Sequence, residues 1–166
     1  MEYLKTGAIF SSDKKYRYEL SRIMRTGGRR LNSIGLNPST AGEYEDDPTI
    51  RREVVFALSW GYDELYKYNM FAKVTPHPKE LCYPEKDPVG PQNHNYLKNI
   101  KGDVLLCWGS WGKLGKSYSW IIKNQAYEVK LMFMGRPDCY CLGWNQDGEP
   151  KHPLYCLATT KLERWS

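Results

Sequence analysis

A chain of 166 residues with 24 Lys and Arg against 19 Asp and Glu carries a formal charge of +5, which tolerates a polyanionic partner but falls short of a dedicated nucleic-acid coat. The length suits a single domain over residues 1–166 whose core needs no staples. No apolar run reaches membrane length and no charged-then-apolar leader opens the chain, so a soluble, unexported, cytoplasmic protein without a membrane partner is expected.

In chain order, residues 7–10 and 16–20 flank Ser11-Ser12-Asp13-Lys14, and Tyr16, Tyr18 and Leu20 alternate with Arg17 and Glu19. That pattern predicts an N-terminal β-hairpin. Arg25 to Arg30 forms a basic turn, read as solvated. The next stretch organises the molecule: an apolar run over about 31–36 ends in Gly35 and Asn37-Pro38, and a small-residue loop then leads to Asp46-Asp47-Pro48. It reads as strand, loop, helix. Asp47 suits an N-cap and Pro48 the first helical position, while Ile50, Val54, Val55 and Leu58 share a face that Gly61 closes.

In an α/β protein the loop after a strand's carboxyl end, facing a helix N-terminus, is where ligands bind, because unpaired backbone N–H groups point into it. Pro38, Ser39 and Thr40 are candidate binding residues on that ground. Arg51 and Arg52 oppose the helix dipole in the first turn. Either an anion is expected there, with Arg51 facing the cleft and Arg52 outward, or both are ordinary exposed arginines.

Residues 65–71 make a second strand with Asn69 near its end, and Pro76, Pro78, Pro84, Pro88 and Pro91 mark a long irregular loop. Pro91 opens a short helix through Leu97 and Ile100. Residues 104–109 are the clearest buried strand, followed by Gly109-Ser110-Trp111-Gly112, which lacks nucleotide-loop spacing. A helix from Tyr118, a fourth strand over 129–134 and a polar turn before His152-Pro153 complete the reading. The alternation predicts a mostly parallel sheet covered on both faces.

Cys82, Cys107, Cys139, Cys141 and Cys156 show no C-x-x-C pair and read as reduced core thiols. Cys139 and Cys141 with His152 could supply three metal ligands, but the cysteines lack zinc-finger spacing; a metal-dependent hydrolase using Asp46, Asp47 and His152 would need those ligands to converge on an open site, and the expected reading has neither metal nor cofactor.

The ordered segments Leu36-Asn37-Pro38-Ser39-Thr40-Ala41, Asp46-Asp47-Pro48-Thr49-Ile50-Arg51-Arg52, Trp60-Gly61-Tyr62, Asn69-Met70-Phe71-Ala72, Asp87-Pro88-Val89-Gly90, Trp108-Gly109 and His152-Pro153-Leu154-Tyr155 resemble, nearly end to end, the bacterial and phage family called domain of unknown function 1643. That family name carries no established activity. More distantly, Gly35-Leu36-Asn37-Pro38 resembles the Gly-Ile-Asn-Pro-Gly motif of the mismatch-specific branch of the uracil-DNA glycosylase superfamily. Asn69 matches a strand-end asparagine there, His152-Pro153 a late His-Pro motif, and Trp108-Gly109 an apolar strand ending in glycine.

This second resemblance implies a three-layer α/β/α sandwich with a four-stranded, mainly parallel sheet and a site at the strands' carboxyl ends. It implies hydrolysis of an N-glycosidic bond of a modified or mismatched base, with a nucleobase, nucleotide or DNA as partner. Carried over, Asn37 orients the attacking water, Asn69 reads a base edge with its paired donor and acceptor, and His152 hydrogen-bonds the departing base's oxygen. Two departures count against chemistry: Ser39 stands where the motif has Gly, and Leu154-Tyr155 where a Ser-Pro wedge loop is usual. An amide cannot act as general base; Asp46 or Asp47 could supply the carboxylate, though Asp47 already has a structural job as N-cap. Without either, the protein is a non-catalytic binder of nucleotide or DNA.

Overall fold

The computed structural model describes residues 2–83, 87–111 and 119–165. Among them lie strands β1 (Lys5–Phe10), β2 (Arg17–Ile23), β3 (Arg30–Gly35), β4 (Glu64–Asn69), β5 (Val104–Leu106), β6 (Cys139–Cys141) and β7 (Glu163–Arg164). The helices are α1 (Pro48–Ser59), α2 (Asn93–Lys98) and α3 (Ser119–Phe133). Pro84, Gly112 and Tyr118 fall outside the described residues.

All seven strands join one sheet in the order β1-β2-β4-β3-β5-β6-β7. Its pairings are mixed: β4 with β3, β3 with β5 and β5 with β6 are parallel, whereas β1 with β2, β2 with β4 and β6 with β7 are antiparallel. The sheet is therefore larger than the expected four strands, because the N-terminal hairpin docks along β4 and a short C-terminal strand adds beyond β6.

Side-chain alternation sends Leu31, Leu65, Leu105 and Cys107 to one face and Ile34, Tyr68, Val104 and Leu106 to the other. Ile50, Val54 and Ala57 of α1 cover the first face. Leu97 of α2 and Ile122, Ala126, Val129 and Phe133 of α3 cover the second. The stretch 129–134, expected as a fourth strand, is instead the last residues of α3, through Phe133, and the turn that follows at Met134. Ile122, Ala126, Val129 and Phe133 recur at helical spacing and are all buried, which outweighs the β-propensity of a short apolar run. The strand that follows is the three-residue β6. No helix among the described residues is long and apolar enough to cross a membrane.

The expected Asp47 cap is in place: its Oδ1 accepts from Ile50 N at 2.8 Å, with Pro48 in the first turn. Trp60 caps the helix C-terminus and Gly61 follows at φ +78°. The register places Gly35 beside Asn69, and Cys107 N donates to Ile34 O at 2.9 Å, so the carboxyl ends of β3, β4 and β5 lie side by side.

Candidate functional site

A cavity of about 190 Å³ opens at those strand ends, against the first turn of α1. Of the residues singled out from the sequence, Asn37, Ser39, Asp47, Asn69, Trp108 and His152 line it. Leu36, Ile50 and Pro78 give apolar wall, and Arg17, Thr49 and Lys67 join from positions not anticipated.

Asn69 ends β4 and is 1% exposed, yet neither its Oδ1 nor its Nδ2 has a hydrogen-bond partner. The strand end that carries it is held rigidly: Asn93 Nδ2 donates to Asn69 O at 3.0 Å and to Met70 O at 2.9 Å, and Gln125 Nε2 donates to Met70 O at 2.8 Å. Gly35 lies alongside. A Cβ there would fall 2.7 Å from Lys67 Nζ and 3.1 Å from Asn69 Oδ1, so the bare glycine is what lets the heads of both side chains sit against the end of β3.

Lys67 Nζ donates to Glu53 Oε1 at 2.6 Å, and Ser33 Oγ donates to Glu53 Oε2 at 2.7 Å, all buried. Burial works against the Lys67 ammonium, but the Glu53 carboxylate in contact with it outweighs that and holds the ammonium above its ordinary range. Burial pushes the Cys107 thiol up, so it stays neutral. The cavity floor is thus a fixed ion pair with a cationic face.

His152 stands on a loop whose backbone closes onto the end of the β5 segment. Gly109 N donates to Pro150 O at 3.0 Å, and at φ +80° a Cβ on Gly109 would lie 2.9 Å from His152 Cβ. Only glycine combines that backbone with that approach. His152 Nδ1 accepts from Leu154 N at 3.3 Å, which leaves the ring proton on Nε2. Burial first, then the Lys67 charge, lowers its pKa, so the ring is a neutral donor near pH 7. Trp108 is locked by Nε1 donating to Glu149 Oε2 at 2.8 Å, and Lys130 holds the other Glu149 oxygen at 2.8 Å.

Asn37 Nδ2 donates to Pro38 O at 2.8 Å and Thr75 O at 2.7 Å, tying the loop after β3 to the loop after β4 and leaving Oδ1 as its acceptor. Asp47 uses Oδ1 for the helix cap; Oδ2 takes no hydrogen bond among the described residues. Asp46 is placed elsewhere, accepting from Arg22 Nε at 2.7 Å and from the Tyr3 hydroxyl. Its carboxylate is engaged in holding the loop to β2.

Arg51 does not line the cavity: it is exposed and donates NH1 to Asp46 O at 2.5 Å. Arg52 folds back over the Phe56 ring and donates to Cys156 O at 2.6 Å, rather than pointing outward. Pro38 is buried beneath the loop and Thr40 exposed outside it, and neither is part of the cavity wall.

The arginine in the cavity is Arg17, 3% exposed, with NH1 donating to Ala41 O at 2.5 Å and Nε without a partner. Alternation along β2 put it with Glu19 on an outer face. An irregularity in the hairpin register, where Ile9 faces Glu19 but Phe10 faces Arg17, throws that alternation out of phase at Tyr18. Tyr18 stacks on Tyr96 of α2, while Arg17 reaches Ala41 on the α1 side. Lys67 had a visible signal, a charge inside an otherwise apolar strand, which asks for a buried partner.

Among the described residues no three His, Cys, Asp or Glu side chains converge as a metal site. Cys82, Cys107, Cys139 and Cys141 are buried and Cys156 is half-buried. No curated protein and no solved structure matches the chain. A family model described as "Protein of unknown function (DUF1643)" matches residues 17–154, from the cavity arginine to just past His152-Pro153, and the chain belongs to that family.

Proposed function

We propose that the cavity binds a nucleobase, presented as a free base, as a nucleotide or from DNA, and that the protein hydrolyses an N-glycosidic bond of a modified or mismatched base. One observation carries the reading: the Asn69 amide, buried in the cavity with donor and acceptor both unmatched. Leaving a buried amide unpaired costs about 1–3 kcal/mol, and native proteins keep few such groups. An adjacent donor and acceptor on one planar group match a base edge.

The other parts fit the same chemistry. The neutral Nε2–H of His152 suits the oxygen of a departing base, where negative charge develops as the bond to the sugar breaks. Asn37 Oδ1 and Asp47 Oδ2 are the acceptors available to orient the water that adds to the sugar carbon. The parallel middle of the sheet, β4-β3-β5-β6, with helices on both faces, supports the glycosylase-like architecture that the motifs imply.

The alternative is a binder of nucleotide or DNA with the same cavity and no turnover. It is favoured by the structural duties of both acceptors, since Asp47 caps α1 and Asn37 ties two loops. Mass spectrometry of bases released from oligonucleotides carrying uracil, mismatches or hypermodified bases separates the two. Turnover lost in Asp47→Asn with ligand affinity retained supports the hydrolase, and binding without release in the wild type supports the binder. No release and no binding of any base or nucleotide removes both.

A further inference from the structure

Arg17 is the charged group of the cavity that base recognition leaves without a task. Its NH1 is spent on a neutral carbonyl, its Nε–H has no partner, and among the described residues no carboxylate forms an ion pair with it. Asp47 and Glu53 act on it from a distance, against Arg22. Each of those carboxylates is already compensated. Glu53 is held by Lys67 and Ser33, and Asp47 sits on the N-terminus of α1, whose dipole favours an anion. Arg17 is the charge left over.

The same strand shows what a purely structural buried guanidinium looks like here. Arg22 is 1% exposed, and it donates Nε to Asp46, NH1 to Ser21 O and NH2 to Gly42 O, at 2.7, 2.8 and 2.7 Å. A buried charge persists when it is paired. Arg22 has its pair within the chain, and Arg17 lies open to a cavity instead.

We propose that the cavity contains a second subsite, centred on the Arg17 guanidinium, for an anionic oxygen group of the ligand, carboxylate or phosphate. This deepens the nucleobase reading and rests on it: the ligand is a base derivative that carries negative charge, not a neutral base. A guanidinium presents fixed N–H donors to such a group and is weakly hydrated, so it suits burial better than an ammonium does. Burial above all, with Arg22 adding to it and Asp47 and Glu53 opposing, pulls its pKa down to about 10, which still leaves it charged.

The test is calorimetric titration of the full chain with uridine, uridine 5′-monophosphate, orotate and inorganic phosphate, on the wild type and on Arg17→Gln. The expected result is that the monophosphate or orotate binds at least tenfold more tightly than uridine. In Arg17→Gln that preference falls below threefold. Orotate against the monophosphate distinguishes carboxylate from phosphate. Equal affinities for charged and neutral probes in the wild type, a preference that survives Arg17→Gln, or no binding of any probe overturns the subsite.

Inorganic phosphate separates this proposal from the one it rests on. Phosphate binding that depends on Arg17, with no uridine bound, keeps the anion subsite and removes the nucleobase; uridine binding without charge preference does the reverse. If Arg17→Gln does not fold, Arg17→Lys decides. It keeps a point charge without the planar fork, so the anion preference drops threefold or more if the subsite exists and stays unchanged if it does not.

Discussion

The two ends of the parallel strands treat the same residue type in opposite ways. At the amino end Asn32 of β3, 2% exposed, donates Nδ2 to Lys101 O at 2.9 Å and to Asp103 O at 3.0 Å. Around it Asp103 accepts from Arg29 and from the Tyr62 hydroxyl, both at 2.7 Å, and Arg30 pairs with Glu64 at 3.0 Å. At the carboxyl end Asn69 of β4 is equally buried and unmatched, beside a lysine with a cationic face and an arginine without a counter-ion. One end of the sheet satisfies its polar groups within the chain and the other leaves the Asn69 amide and Arg17 Nε unmatched, which is the contrast the proposed binding site rests on. Among the described residues, three of the four unmatched buried side-chain atoms, Arg17 Nε and both Asn69 amide atoms, belong to residues that line this one cavity, Asn93 Oδ1 on α2 being the fourth, and that concentration is what supports the binding-site proposal.

Substitutions at both ends can break that contrast. The largest effect is expected from Glu53→Ala, which strands the Lys67 ammonium in the interior and frees Ser33. Removing one partner of a buried pair costs about 3–5 kcal/mol, and at about 2–4 °C per kcal/mol for a chain of this size the melting temperature falls by roughly 10 °C. Calorimetric melting checks it; a fall under about 3 °C would mean that the floor is already hydrated and the pair dispensable. Next is Asn32→Ala at the closed end, where two carbonyls lose a donor, with an expected loss of about 1–3 kcal/mol in urea unfolding.

Asn69→Ala at the open end removes no hydrogen bond from the free protein, so its stability should stay within about 1 kcal/mol of wild type, while nucleobase affinity falls tenfold or more. Equal destabilisation by Asn32→Ala and Asn69→Ala would erase the distinction between the ends.

The smallest effect is on pH dependence. The unfolded His152 imidazole titrates at its ordinary 6.5 and the folded ring lower, through burial first and Lys67 second. Between those values the unfolded chain binds the extra proton. Stability is therefore complete above about pH 6.5, declines as pH falls through the window and levels off once below the folded value. His152→Gln should flatten that slope in urea midpoints taken between about pH 5 and 7.5. An identical slope in the variant would assign it to other groups.

What was legible in the sequence follows local rules. Asp47, Pro48 and Gly61 marked α1 because caps and terminators act within a few residues. Asn37, Asn69 and His152 could be nominated because each sits at a boundary between elements, and the structure brings all three to one cavity. Arg17 was hidden by a register irregularity that inverts side-chain facing and is set by pairing with β1, which composition does not encode. The charge conflict at Arg51 was real, but a backbone carbonyl inside the same turn resolves it, so no anion is required there. Residues 129–134 misled because their apolar run was read without Ile122 and Ala126, which set its period.

Arg17 and His152 come from near opposite ends of the chain, yet both line the same cavity wall. Neither can arrive until the hairpin has paired with β4 and the loop after β6 has closed onto Gly109. Contacts so distant in sequence form late, since the entropy of closing long loops is lost before they reward it. If the cavity takes the proposed ligand, its binding is therefore a probe of completed folding: any intermediate with a formed core but an undocked terminus should show helical signal and no ligand. Conversely, a bound ligand clamps the first and last segments together, and at a concentration of 100 times its Kd adds about 2.7 kcal/mol to the stability of the whole fold.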